Sequence, residues 1–237
     1  MPAAALTDAR SALDRLPLLT RTDDDGTWPL LLWTPGESLR MISTAVLGGG
    51  LGERDWVLNA QVRPGYAHRD PAAHLTAIAA GLGLRGHGVG LMTAARVADR
   101  CRAVDEGVCA LVTAGLGVRG WAARPQPGSP GPAPAGTVNT VVSVPVPLCD
   151  AALVNAVGTA TEAKVQALRD AGIDASGTPT DAICVAAPRP VPGRASEAFA
   201  GPRSVWGARI ARAVHRATYE ACVRGEATAD GTPPAVP

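Results

Sequence analysis

The chain of 237 residues holds one lysine, Lys164, among 22 lysine and arginine residues. Aromatic residues make up 3% of it, with one phenylalanine and two tyrosines. Asparagine is scarce too, occurring at Asn59, Asn139 and Asn155. Such a bias, beside abundant Ala, Gly and Pro, fits a GC-rich coding sequence that drifts to arginine wherever either cation serves. Lys164 then marks either chance survival on a solvated surface or a place needing a compact, titratable ammonium rather than a planar fork. The formal charge of +1 lacks the basic excess of a nucleic-acid binder. No apolar run approaches the roughly 18 residues of a membrane-crossing helix. The start, MPAAALTDARSALDR, puts charges where an export signal needs its apolar stretch. A cytoplasmic protein without nucleic-acid or membrane partners is expected.

Metal and redox signatures are missing as well. Cys101, Cys109, Cys149, Cys184 and Cys222 contain no Cys-x-x-Cys pair and read as reduced, mostly buried small hydrophobes. His68, His74, His87 and His215 show neither His-x-x-x-His nor His-Glu-x-x-His spacing, so no metal site is expected. Two segments match Gly-x-Gly-x-x-Gly, at Gly81-Gly83-Gly86 and Gly115-Gly117-Gly120. The first follows a helix and the second runs into Trp121 and a proline-rich loop, so neither opens a helix under a dinucleotide. Gly48-Gly49-Gly50 lacks the Lys-Ser/Thr of a phosphate loop, but its glycines would let backbone approach a large flat ligand.

What is present is enough for a full core, since 46% of residues are hydrophobic. Residues 1–27 read as a flexible N-terminal arm, 28–224 as a single domain and 225–237 as a disordered tail. Val, Leu and Ile enrichment with Gly or Pro punctuation predicts strands near 29–33, 41–47, 56–62, 88–93, 109–114, 137–146 and 182–187. Asp105-Glu106-Gly107 reads as a hairpin turn. Helices are predicted from Asp70-Pro71 to about Gly81, from Asp150 to about Ala171, and from about Arg203 to Arg224. The pattern predicts an α+β fold, a mixed sheet covered by helices, with a layered α/β sandwich as its near neighbour.

At 100° per residue the second helix gathers Leu153, Val157, Ala160, Thr161, Lys164 and Leu168 on one face. Asn155, Thr159, Glu162 and Gln166 fall on the other. The one lysine thus lies on the apolar stripe, where it either snorkels to the rim or acts chemically. A partly desolvated lysine can donate to a developing oxyanion or to a leaving amine. Gly136-Thr137-Val138-Asn139-Thr140 opens an apolar strand, and Gly177-Thr178-Pro179-Thr180-Asp181 leads into another. Asp181 reads equally as a site carboxylate or a turn-former. Asn59 sits mid-strand, as a ligand contact or a core hydrogen bond.

The run Thr159-Ala160-Thr161-Glu162-Ala163-Lys164 resembles the signature of the adenosylcobinamide amidohydrolases. Gly136-Thr137-Val138-Asn139, Gly177-Thr178-Pro179-Thr180-Asp181-Ala182, Met92-Thr93-Ala94, the Gly48-Gly49-Gly50 turn, Asn59 and Tyr66…Asp70-Pro71 follow in the same order, over about residues 36–224. Pro179 stands where a small residue is expected, and the arm and proline-rich loop read as extensions. The resemblance implies hydrolysis of the amide joining aminopropanol to the corrinoid, giving adenosylcobyric acid for cobamide salvage. The corrinoid is then the small-molecule substrate, no separate cofactor is implied, and a homo-oligomer is compatible. Lys164, Asp181, Glu162 and Thr161 are the implied catalytic candidates. Gly48, Gly49, Gly50, Asn59, Thr137, Asn139, Thr178 and Thr180 are the implied substrate contacts. Asp181 is the preferred base, because Glu162 lies some 160° from Lys164 around the helix; a nucleophilic Thr161 or Thr180 is the rival. A corrinoid carrier without catalysis is the alternative function.

Overall fold

A computed structural model describes residues 13, 16–23, 26–124 and 136–229. Among these residues ten strands and three α-helices form an α+β fold in four layers. The outer helix α1 (Pro71–Gly81) covers a sheet of β1 (Leu18–Asp23), β2 (Gly26–Trp33), β5 (Trp56–Gln61) and β6 (Gly88–Thr93) in that order. Behind it lies a second sheet in the order β4 (Gly50–Arg54), β3 (Leu39–Ser43), β10 (Ala182–Ala187), β9 (Thr137–Ser143), β8 (Val108–Gly115) and β7 (Cys101–Asp105). The helices α2 (Asp150–Asp170) and α3 (Val205–Ala229) cover its outer face.

The period-two alternation of the strands explains the layering. In β5, Val57 and Asn59 face the second sheet, whereas Trp56, Leu58 and Ala60 pack on Leu75, Ile78 and Ala79 of α1. In β9, Val141 faces inward and Val138 and Val142 face the helices. Both sheets are mixed because each contains a strand–helix–strand crossover. β5 and β6 are parallel across α1, and β9 and β10 are parallel across α2. The second crossover matters for chemistry, since it brings the N-terminal ends of two buried strands side by side.

Capping follows residue chemistry. The Asp70 carboxylate accepts the Ala73 amide at 2.9 Å and Pro71 occupies the first turn, as the sequence predicts. α2 begins at Asp150, as the sequence predicts. Cys149 is its cap, accepting the Ala152 amide at 3.4 Å, which leaves Asp150 free to accept from Arg40.

Several sequence expectations are corrected. Residues 18–23 and 26–27, read as part of a loose arm, form β1 and the opening of β2, held by antiparallel pairing from Leu18↔Leu31 to Asp23↔Gly26. Asp24 and Asp25 lie outside the described residues. Residues 225–229, read as part of a tail, belong to α3, which continues to Ala229; residues 230–237 lie outside the described residues, as do 125–135 of the proline-rich loop. β4 and β7 are edge strands that the sequence conceals, with Gly50-Leu51-Gly52 and Arg102 breaking any apolar run.

The glycine triplet has a packing role. Leu47 forms an antiparallel bridge to Gly90, carrying the β3–β4 turn from one sheet to the other. Gly48 has φ +69°, and a Cβ there would stand 1.9 Å from the Gly88 carbonyl oxygen. Gly48→Ala is expected to lower stability by at least about 2 kcal/mol in urea denaturation, through backbone strain and overlap. An unchanged midpoint would show that the strap yields.

Candidate functional site

The site forms where β9 and β10 begin. Lys164 projects from α2 toward the end of β10 and is only 6% exposed. Its ammonium donates to Asp181 Oδ2. Asp181 immediately precedes β10, and backbone and hydroxyl donors hold it. Oδ1 accepts the Val138 amide at 2.8 Å and lies 2.5 Å from the Thr178 hydroxyl. Oδ2 also accepts the Thr178 amide at 3.2 Å. Four donors thus surround the carboxylate, which matches its four lone-pair sites.

Of these donors, the Thr178 hydroxyl is the exchangeable one. It carries a single proton and has a second acceptor, the Gly136 carbonyl, at 2.7 Å. Thr180 donates to the same carbonyl at 2.9 Å, which leaves Thr137 as the donor to Thr180 across 2.6 Å. The Thr137, Thr178 and Thr180 side chains therefore tie the β10 entry turn to the start of β9. Gly177 lies directly over the ion pair. A Cβ at this position would stand 2.3 Å from Asp181 Oδ2 and 2.6 Å from Lys164 Nζ, so only glycine leaves the pair accessible.

The pair forms part of the wall of an open concavity of about 670 Å³, bordered also by Thr161, Val165, Trp121 and Arg124. A shelf of about 690 Å³ continues from it along residues 119–124 to Asp174 and Ser176. This segment is fixed by the Gly120–Gly177 bridge, with Gly120 N donating to Gly177 O and Ser176 N to Gly120 O, both at 3.0 Å.

The sequence candidates divide accordingly. Lys164, Asp181, Thr178 and Thr161 meet at one concavity, although Thr161 is exposed and donates to Val157 O at 2.9 Å. Glu162 is exposed and faces a separate surface with Gln166 and Arg169, so the helix does not bring it to Lys164. Gly48 borders a third concavity, between α1 and β6. Asn59 and Asn139 do not contact the surface. They are 3% and 1% exposed and lie between the sheets, Asn139 donating to Asn59 Oδ1 at 2.9 Å and to Met92 O at 3.1 Å. Asn59 in turn donates to Thr113 Oγ1 at 3.0 Å. They are corrected from substrate contacts to a buried amide chain joining β5, β8 and β9. The helical wheel also misplaced Thr159, which is buried and donates to Ala200 O at 2.7 Å. Packing against the 197–201 segment as well as α3 widens the buried arc of α2.

Burial pushes the Cys184 thiol up to about 12 and the Cys101 thiol to about 11, so neither offers a thiolate near neutrality. Among the described residues no three His, Cys, Asp or Glu side chains group as metal ligands. His74 instead bridges Asp23 (3.0 Å) and Tyr66 (2.8 Å), and His215 pairs with Asp170 at 2.7 Å. No helix among the described residues is long and apolar enough to cross a membrane.

A lysine–carboxylate pair under a glycine, at the wall of an open concavity, is the candidate small-molecule site of this chain. Residues 16–229 match the family model described as adenosylcobinamide amidohydrolase, and the chain belongs to that family. It is also similar to the adenosylcobinamide amidohydrolase of Methanosarcina mazei, 31% identical over 140 residues. That alignment covers 59% of this chain and 66% of the relative, slightly under two thirds of its length.

Proposed function

We propose that the protein hydrolyses the amide joining aminopropanol to the corrinoid of adenosylcobinamide, giving adenosylcobyric acid and the free amine. The observation that carries this is the placement of Lys164 and Asp181 together at one concavity, within a chain of this family. The reaction balances with water alone, so the proposal requires no cofactor.

Lys164 is the electrophilic donor. Among the described residues its ammonium has Asp181 as its hydrogen-bond partner, so two N–H bonds remain for a scissile carbonyl or leaving amine. Asp181 orients the ammonium through Oδ2. Oδ1 can take up a proton only from the position where the Thr178 hydroxyl now lies, because the other donors are a lysine and backbone amides. The attacking group is therefore Thr178 Oγ1 or a water that replaces it. Attack on the carbonyl carbon forms the C–O bond and places the attacking group's proton on Asp181; breaking the C–N bond then takes a proton from Lys164 to the leaving nitrogen. With Thr178 as nucleophile, water cleaves the resulting ester in a second step.

Mass analysis after incubation with adenosylcobinamide tests the activity. Free aminopropanol should accumulate, at a rate unaffected by chelator. Binding without product would favour a carrier and overturn the hydrolytic reading. Thr178→Ala and Thr178→Ser separate the two nucleophiles. A hydroxyl nucleophile predicts near-complete loss in Ala with partial retention in Ser, whereas a water nucleophile leaves both within about tenfold of wild type.

A further inference from the structure

We propose that Trp121 is the specificity platform of this site, stacking on a planar conjugated ring of the ligand. The inference rests on the corrinoid reading above and names the residue that would recognise the flat part of that substrate.

Trp121 is the one exposed tryptophan of the five in the chain, at 42% exposure, in a protein nearly devoid of other aromatics. It borders both the concavity holding Lys164 and Asp181 and the shelf that extends from it. Its exposure does not come from a loose segment. The indole N–H donates to Asp174 Oδ1 at 3.0 Å, and its neighbour Ala122 donates its amide to Ser176 Oγ at 2.8 Å. Behind it the Gly120–Gly177 bridge links the segment to the glycine lying over the ion pair. The polar edge of the indole is therefore satisfied by protein while apolar surface stays open to the concavity. An indole fixed at one edge loses little conformational freedom on binding, and it gains dispersion and apolar burial against any flat partner. The structure assigns no other aromatic ring to the walls of these two concavities among the described residues.

Adenosylcobinamide offers two such surfaces, the corrin macrocycle and the adenine of its upper ligand. Equilibrium dialysis of the turnover-deficient Lys164→Met protein, with Trp121 intact or replaced by Ala or Phe, against adenosylcobinamide and against aquacobinamide, which lacks adenine, distinguishes them. The Ala variant should bind adenosylcobinamide about tenfold more weakly and the Phe variant should retain most affinity. Equal weakening toward both ligands assigns the corrin, and weakening confined to the adenosylated ligand assigns adenine. Unchanged affinity in the Ala variant, or a protein with Trp121 intact that binds neither ligand, overturns the inference. A parallel product assay keeps the two readings apart, since wild-type hydrolysis with unaltered Ala-variant binding removes the platform and leaves the activity. Melting temperatures of the three proteins should agree within about 2 °C, as expected for an exposed position.

Discussion

On the proposed hydrolysis, Lys164→Arg should reduce turnover of adenosylcobinamide by about a thousandfold, even though it keeps the positive charge. The ammonium donates to Asp181 under Gly177, where a Cβ on that glycine would already stand 2.6 Å from Nζ. A planar guanidinium is bulkier than the ammonium it would replace beside this backbone. Its charge is also permanent, so it cannot give a proton to a leaving amine. Lys164→Met, which keeps the stem without the donor, should be equally inactive yet fold normally by circular dichroism. Steady-state rates near wild type for the arginine variant would remove Lys164 from the chemistry.

Asp181→Asn should affect both activity and stability. The amide cannot accept a proton from an attacking hydroxyl, so turnover should fall by about a hundredfold or more. It also leaves an ammonium, only 8% exposed in its side chain, without its counter-charge. Breaking a buried pair from one side costs about 3 kcal/mol or more, which urea denaturation would register as a lower midpoint at unchanged slope. The double variant Lys164→Met/Asp181→Asn should recover part of that loss, because it no longer buries an unpaired charge. A single Asn variant as stable as wild type would show that solvent already screens the pair.

The elements with strong periodicity or punctuation were legible in the sequence. α1 was marked by Asp70-Pro71, α2 by its long run of helix formers, and β5, β6, β8, β9 and β10 by their β-branched and aliphatic content. Three of the four edge strands were not, because β1, β4 and β7 are half solvated and their composition resembles loop. Two sheets rather than one could not be read either, since a strand buried on both faces carries no alternation to show which partner covers it.

The rarity of lysine singled out Lys164 and the flanking hydroxyls singled out Asp181, two residues that the structure places in contact. The asparagines misled, because a polar residue within a strand looks the same whether it meets a ligand or another amide across a sheet interface. Asn59 and Asn139 are 80 residues apart in the chain, so nothing local signals their contact. Trp121 was passed over as a loop residue. Its signal was an aromatic beside glycine in an aromatic-poor chain.

The carboxylate that holds Lys164 also substitutes for a missing rung of the sheet. Val138 N finds its acceptor on the Asp181 side chain rather than on a neighbouring strand. That amide is consequently a built-in reporter. Any event that turns the carboxylate away, from protonation to ligand docking, leaves a backbone N–H without its acceptor, and deuterium uptake at a single valine would record it.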